Sequence, residues 1–198
     1  MTHGPEELDQ FEALAGAQRA TRSFTREPVD DGVLHRLLAL ATRSPSAGNS
    51  QPWEFIVIRD PDTRRAIGSI TSARWSGGAR DWSEANLAPA LTAEVDAGAT
   101  GGVAEAPVLV VVCADRDRCP PGSVGESVWP AVQNLLLAAT AARLGSALTT
   151  LATGGRELAD LLGLPPGVDA MAVVPLGHPA RPLRAGRREP PRIHRDAW

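Results

Sequence analysis

The sequence contains no lysine and no tyrosine, and only two cysteines, Cys113 and Cys119, among its 198 residues. Every strongly basic side chain is therefore an arginine, whose planar guanidinium suits bidentate contacts to phosphate and carbonyl groups. A chain this rich in alanine, glycine and proline can be rich in arginine for compositional reasons alone, so the bias does not by itself indicate a ligand. Two cysteines are too few for a disulfide framework or a cysteine-based zinc site. We predict no metal site.

Strong positive charge and long hydrophobic runs are also lacking. The net charge is −3, whereas nucleic-acid-binding proteins usually present a strongly basic surface. No apolar run is long enough to span a bilayer, and the polar, acidic residues 1–10 do not resemble a secretory signal. We therefore expect a cytoplasmic protein that partners neither nucleic acid nor membrane. The length favours a single domain over residues 1–198.

Hydrophobic periodicity and turn residues predict an α+β fold with few strands. Predicted helices cover 6–19, about 30–41, 61–70, 129–144 and 154–162, and predicted strands cover 53–59, 107–114 and 171–176. The run 107–114 is apolar throughout, which is typical of a strand covered on both faces. The helix 129–144 is apolar almost all round, so we expect a second subunit to cover part of it.

Two segments have no clear element pattern. We expect residues 71–105 to form a lid or an insert, in which 82–95 is a possible helix. The tail from 178 to 198 is rich in proline and arginine, and we expect it to lie along the surface of its own subunit or of a partner.

Three separated segments could converge on one anionic, planar ligand. The first holds Arg19 and Arg22, which share a face if the first helix continues; two guanidinium groups there can grip a phosphate and a carbonyl. The second is the small-residue loop 45–53, and the third contains Arg188. Taken singly, they also fit a solvated helix end, an ordinary loop and surface charge. No glycine-rich phosphate motif follows any predicted strand, so arginine side chains would have to hold a phosphate.

Taken in order, these segments resemble the nitroreductase family of FMN-dependent enzymes over nearly the whole chain. The matching motifs are Arg19–Phe24 with Glu27-Pro28-Val29, Pro45-Ser46 to Pro52-Trp53, Gln133–Ala139 with Leu144-Gly145, Leu161–Pro165, and Leu176–Pro179. The resemblance implies a nitroreductase-like fold: a central, mainly antiparallel sheet flanked by helices, in an intertwined homodimer whose tail 178–198 forms an arm on the partner subunit.

The resemblance also implies two FMN sites per dimer. Its cofactor-binding residues would be Arg19, Ala20, Thr21, Arg22, Pro45, Ser46, Ala47, Asn49, Thr149, Thr150, Leu151 and Arg188. Arg19 and Arg188 would meet the phosphate and Arg22 the pyrimidine edge near N1 and O2. The loop from Pro45 would come from the other chain, and one backbone N–H of 149–151 would lie near N5 or O4.

No catalytic side chain is expected, because the flavin carries the hydride. The implied reaction passes electrons from NAD(P)H to a small acceptor such as a nitroaromatic or a quinone by a ping-pong mechanism. Two alternatives remain. One is a flavoenzyme of the same fold with another reaction: dehalogenation, flavin fragmentation or natural-product dehydrogenation. The other is a flavin-binding module without turnover, suggested by Ala20 where the family often has serine.

Overall fold

The computed structural model describes residues 5–182 and 189–198. Its helices are α1 (Pro5–Ala17), α2 (Asp31–Ala41), α3 (Pro61–Arg74), α4 (Arg80–Asn86), α5 (Pro89–Ala97), α6 (Val103–Glu105), α7 (Val124–Ala141) and α8 (Glu157–Leu162). Its strands are β1 (Trp53–Ile58), β2 (Val108–Asp115), β3 (Gly145–Ser146) and β4 (Val168–Gly177). The strands form one antiparallel sheet in the order β1-β2-β4-β3. The α+β fold class predicted from the sequence is confirmed.

Strand β2 lies at the centre of the molecule and is covered on both faces, as its apolar run predicts. Alternate side chains point to opposite sides of a strand. Val108, Val110 and Val112 pack with α2 and α7 on one face. Leu109 and Val111 pack on the other face with residues of α3, α6 and α8. A bulge in the pairing of β2 with β4 falls at Val112/Cys113.

Two helices begin at aspartates that cap them. Asp30 accepts a hydrogen bond from the Val33 N–H at 2.9 Å at the start of α2. Asp60 accepts from both the N–H and the hydroxyl of Thr63, at 2.8 and 2.7 Å, at the start of α3. The backbone hydrogen bond, followed by the hydroxyl, lowers the pKa of Asp60 because both favour the charged carboxylate.

Several predicted limits differ from the structure. Helix α3 continues to Arg74, α8 begins at Glu157, and β4 covers Val168–Gly177 instead of 171–176. The larger differences are at α1 and α7. Helix α1 ends at Ala17 instead of continuing to Arg19, because the following backbone pairs with β3: the Thr21 N–H donates to the Ser146 carbonyl at 2.8 Å. Helix α7 begins at Val124, one turn and a half earlier than predicted, and contains Pro130. Proline lacks only one intrahelical N–H bond, and burial of the surrounding apolar side chains offsets that loss.

The predicted helix 82–95 is also wrong, since it is two helices. Pro89 disfavours a helical conformation at the residue before it, and Ala88 is accordingly extended between α4 and α5. Two π-helical turns, Trp75–Ala79 and Gly98–Gly102, join these helices to α3 and α6. We call Trp75–Glu105 the insert. Within residues 5–182 and 189–198, no helix combines the length and the apolar character needed to cross a bilayer.

The insert is braced within itself at its start and is held by the rest of the fold at its end. The indole N–H of the buried Trp75 donates to the Asp96 carboxylate at 2.8 Å, which ties the first residue of the insert to its own helix α5. At the other end, the Arg64 guanidinium of α3 donates to the carbonyls of Ala104 and Ala106, at 3.4 and 2.5 Å. These hydrogen bonds from Arg64 anchor the end of the insert to α3.

Candidate functional site

The segment that carries Arg19 and Arg22 lies along the outer edge of the sheet, beside β3. Ala20 forms a bridge with Ser146 on one side. Further along the segment, the Thr25 N–H donates to the His178 carbonyl at 2.8 Å and the Ala180 N–H donates to the Ser23 carbonyl at 3.0 Å. Because this backbone is extended, the shared helical face expected for the two arginines does not exist.

Three polar atoms beside β3 are buried without a hydrogen-bond partner: Arg19 Nε, Thr21 Oγ1 and Ser146 Oγ. They are the only such side-chain atoms in the described part of the chain. Buried polar groups are normally paired, because leaving one unpaired costs about 1–3 kcal/mol. Two sit on the arginine segment and the third on the strand that pairs with it, so this edge of the sheet is suited to receive hydrogen-bonding groups from a ligand or from water.

Arg22 projects into a cleft with about 420 Å³ of empty volume. The cleft lies between the arginine segment, the insert and residues 147–151, and most of its lining is apolar, including Val95, Val103 and Leu148. Arg22 is the only charged side chain among the described residues that line it. Its NH1 lies 3.4 Å from Glu94 Oε2 on α5. Burial lowers the pKa of Arg22, and the nearby Glu94 charge partly opposes that effect.

Glycines allow the insert to pack directly on Arg22. A Cβ added to Gly102 would lie 2.1 Å from the Arg22 carbonyl oxygen, and one added to Gly98 would lie 2.8 Å from Arg22 Cδ. Real Cβ atoms essentially never approach other atoms closer than 3.0 Å. The second π-helical turn therefore depends on glycine at Gly102, where the opposing atom is backbone.

Residues 149–151 border the same cleft. Thr149 is joined to β4 by two backbone hydrogen bonds with Val173, of 3.0 and 2.9 Å. The Thr149 hydroxyl accepts from the Leu151 N–H at 3.2 Å, and the Thr150 carbonyl begins a short 3-10 turn. The Thr150 N–H makes no hydrogen bond to another described residue, so it remains available to an acceptor in solution or on a ligand.

The small-residue loop has a fixed but unusual backbone. Gly48, Asn49 and Gln51 have φ values of 59°, 54° and 47°, in the left-handed region that non-glycine residues seldom adopt. The Ser46 hydroxyl accepts from the Gln51 N–H at 3.0 Å, and the Ala47 N–H donates to the Ser127 hydroxyl at 3.1 Å. Pro45 and Asn49 are exposed. Such local strain is a reason to examine a loop for function.

The two cysteines occupy contrasting environments near these elements. Cys113 is fully buried on β2, and burial raises its pKa to about 11. Cys119 lies under the small-residue loop, where its sulfur is 3.4 Å from Ser123 Oγ, 3.6 Å from Ser127 Oγ and 3.7 Å from Ser50 Oγ. Hydrogen bonds from these hydroxyls, that of Ser123 foremost, lower the pKa of Cys119.

One chain does not bring the predicted site residues together. The small-residue loop contacts α7 near its start, at Ser127, whereas the arginine segment packs beyond its end, where Thr21 contacts Gly145. At about 1.5 Å rise per residue, the helix between Ser127 and Ala141 is itself about 20 Å long. Arg22, Thr149 and Leu151 line one cleft, whereas Thr150, between the latter two, is not among its lining residues. Arg188 lies outside the described residues.

Sequence reasoning missed Glu94, Gly98 and Gly102 as neighbours of Arg22. A local signal was present, because residues 97–102 consist of glycine, alanine and threonine, the small residues that a close approach of backbone requires. The Glu94 contact joins positions 72 residues apart and has no local signature.

The fold and the cleft define a class: an α+β protein with an arginine segment at the edge of its antiparallel sheet. A sequence model described as the Nitroreductase family matches residues 16–178. The chain belongs to this family.

Three comparisons illustrate its similarity to known proteins. A protein of Thermus thermophilus named NADH dehydrogenase is 30% identical over 180 residues, which are 82% of this chain and 83% of that protein. A 5,6-dimethylbenzimidazole synthase of Rhodobacter capsulatus is 27% identical over 194 residues, 91% and 86% of the two chains. A crystal structure of iodotyrosine deiodinase bound to FMN and 3-iodo-L-tyrosine is 26% identical, covers 94% and 98% of the two chains, and has a TM-score of 0.77. These relatives support an oxidoreductase, and their names cover different reactions.

Proposed function

We propose that this chain binds FMN at the Arg19–Arg22 edge of its sheet and passes electrons from NAD(P)H to a small acceptor, such as a nitroaromatic or a quinone, in a ping-pong reaction. The observation that carries the proposal is the set of three unpaired buried polar atoms near the cleft; Thr21 and Ser146 are next in sequence to Arg22 and Ala147, which line it. Membership of the Nitroreductase family and similarity to an FMN-bound deiodinase support the choice of ligand.

The residues present fit a phosphorylated, planar ligand. Arg19 Nε and Thr21 Oγ1 are unpaired polar atoms on the arginine segment, and a phosphate needs donors of this kind. The apolar lining of the cleft suits a flat ring. The Thr150 N–H, between the lining residues Thr149 and Leu151, makes no hydrogen bond to another described residue. We assign Ala20 and Leu151 to backbone or packing contacts, since neither has a polar side chain.

In the proposed mechanism, bound FMN would supply hydride and electron transfer between the nicotinamide and the acceptor. Arg22 would hold the pyrimidine edge and stabilise negative charge there. One such charged contact contributes about 1.5–3 kcal/mol. The Thr150 N–H would serve as a hydrogen-bond donor to the ring, and the apolar side chains of the cleft would exclude water. No side chain of this protein acts as a nucleophile.

The remaining predicted contacts, from Pro45, Ser46, Ala47 and Asn49, require a second copy, because α7 separates the small-residue loop from the arginine segment within one chain. Apolar surface for such a homodimer is available. Leu8 and Phe11 on α1, Leu40 on α2 and Trp129 on α7 are 67%, 55%, 50% and 39% exposed in the single chain. The tail, including Arg188, is proposed to reach the partner subunit and close on the phosphate.

The direct test is to titrate purified protein with FMN while following its visible spectrum, then to supply NADH or NADPH with menadione or nitrofurazone as acceptor. We expect stoichiometric FMN binding, a dimer by analytical ultracentrifugation, and nicotinamide oxidation that depends on the acceptor. Arg22→Gln should weaken FMN binding by about 10- to 100-fold, since it removes one charged hydrogen bond.

Arg156→Gln is the matched control. Arg156 is exposed, immediately precedes α8, and within the described part of the chain pairs only with Asp160 on that helix, at 3.3 Å. The Arg156→Gln variant should bind FMN with the same affinity as the unaltered protein. Protein that takes up no FMN, or an Arg156→Gln variant weakened as much as Arg22→Gln, would contradict the proposal.

A second candidate reaction is fragmentation of the flavin itself. It is favoured by the similarity to 5,6-dimethylbenzimidazole synthase over 91% of this chain. Incubating the protein with reduced FMN in air and analysing the products by mass spectrometry distinguishes the two: a dimethylbenzimidazole product supports fragmentation, and recovery of intact FMN supports electron transfer. Bound FMN that neither nicotinamide reduces would instead indicate a flavin-binding module without turnover.

A further inference from the structure

We propose that Glu94 is a positioning residue that tunes the flavin site by holding Arg22 and offsetting part of its charge. This inference rests on the proposed function, because it concerns the arginine assigned to the flavin. It gives the insert a defined role in setting how strongly the site favours the reduced cofactor.

The geometry places Glu94 in a position to act on Arg22 alone. Its Oε2 lies 3.4 Å from Arg22 NH1, and no other carboxylate pairs with Arg22 in the described part of the chain. Helix α5, which carries Glu94, is joined to the rest of the insert by the turn whose Gly98 and Gly102 lie against Arg22. Arg22 is thus contacted both by Glu94 on α5 and by the Gly98–Gly102 turn that follows α5 in the insert.

The exposure of the two groups sets the size of the effect. The Arg22 side chain is 24% exposed and the Glu94 side chain 67%, so solvent screens the pair only in part. Exposed ion pairs contribute up to about 1 kcal/mol, which corresponds to a factor of about five in an equilibrium constant. A negative charge at Glu94 opposes further negative charge on a ligand at Arg22. Removing it should therefore favour the more anionic, reduced form of the cofactor.

The test compares Glu94→Gln with the unaltered protein loaded with FMN. We expect the ratio of the Kd for oxidised FMN to the Kd for reduced FMN to rise by about two- to fivefold. For a two-electron couple, fivefold is a rise of about 20 mV in midpoint potential. In the protein without cofactor, amides of residues 89–102 should exchange hydrogen faster, since one tie between the insert and Arg22 is lost.

Glu84→Gln is the matched control, because it removes the same charge from the same insert. Among the described residues Glu84 pairs with Arg80 alone, at 3.1 Å, and it does not line the cleft. Arg80 also pairs with Asp96, at 3.5 Å, and the Glu84 substitution leaves both of those groups in place. Its Kd ratio and exchange rates at 89–102 should be unchanged. If Glu94 were only structural, Glu94→Gln would weaken both forms of FMN equally and leave the ratio unchanged.

The outcomes separate this inference from the proposed function. Unaltered protein that binds no FMN overturns the proposed function and this inference with it. Unaltered protein that binds FMN, together with a Glu94→Gln ratio equal to that of Glu84→Gln, overturns this inference alone.

Discussion

Gly102 offers a sharp test of how the insert packs against Arg22. An alanine at Gly102 would place its Cβ 2.1 Å from the Arg22 carbonyl oxygen, so the backbone of one segment must move by roughly 1 Å to restore an ordinary contact. The φ and ψ values of Gly102, −57° and −32°, are helical and suit alanine. Any destabilisation would therefore come from the contact and not from the backbone conformation.

We expect Gly102→Ala to lower the free energy of unfolding by about 1–3 kcal/mol, the usual cost of overpacking. The neighbouring Gly101 is the control, since its added Cβ would find nothing closer than 3.7 Å, at Glu105 Oε1. Gly101→Ala should be neutral or stabilising by about 0.5–1 kcal/mol, because glycine is the poorer helix former. Urea unfolding followed by circular dichroism measures both values.

The same pair of variants also bears on binding. If Arg22 is displaced in Gly102→Ala, FMN affinity should fall by about tenfold or more through loss of a charged hydrogen bond, while Gly101→Ala keeps its affinity. Equal stability of the two alanine variants would refute the close packing of the insert on the Arg22 backbone. If Gly102→Ala is as stable as the unaltered protein, Arg22 is not displaced, and no change in FMN affinity is expected.

Three further predictions address other parts of the fold. Iodoacetamide at pH 8 should modify Cys119 before Cys113, whose pKa is raised to about 11 by burial; mass spectrometry of the native protein would show this order, and equal rates would contradict it. The pKa of Asp60 is lowered in the folded protein, so its charge stabilises the fold above the pKa of the unfolded carboxyl group, and this contribution is lost as the pH falls through the folded pKa. The difference in stability between the unaltered protein and Asp60→Asn should therefore shrink below about pH 4. A difference that stays constant with pH would refute the capping role of the Asp60 carboxylate. Trp75→Phe should cost about 2 kcal/mol, since it removes a hydrogen bond to the Asp96 carboxylate, and thermal unfolding unchanged from the unaltered protein would argue against that bond.

Short-range patterns predicted the elements whose structure depends on their own residues. The apolar run of β2 is an example, because burial of a strand on both faces is encoded in its own residues. The end of α1 was not predictable in this way. Its position depends on the hydrogen bond from the Thr21 N–H to the Ser146 carbonyl, a partner far along the chain.

The candidate site shows the same difference between local and long-range signals. The motifs around Arg22 and Thr149 are each a short continuous segment of sequence, and both contribute residues to one cleft. The contribution of Glu94 to that cleft depends on how α4 and α5 fold back over the arginine segment, which a proline and two π-helical turns determine together. Hydrophobic periodicity predicted one helix where the structure has α4 and α5. It therefore could not predict the contact between Glu94 and Arg22.

The pairing of residues 178–180 with the arginine segment supplies a natural place to divide the chain experimentally. The His178 carbonyl and the Ala180 N–H form backbone hydrogen bonds with Thr25 and Ser23, whereas residues 189–198 are exposed. A stop codon placed after Pro182 would thus remove residues 183–198 while leaving these hydrogen bonds in place. If the chain forms the proposed homodimer, mixing shortened chains with full-length ones would give heterodimers in which residues 183–198 are present on one subunit only.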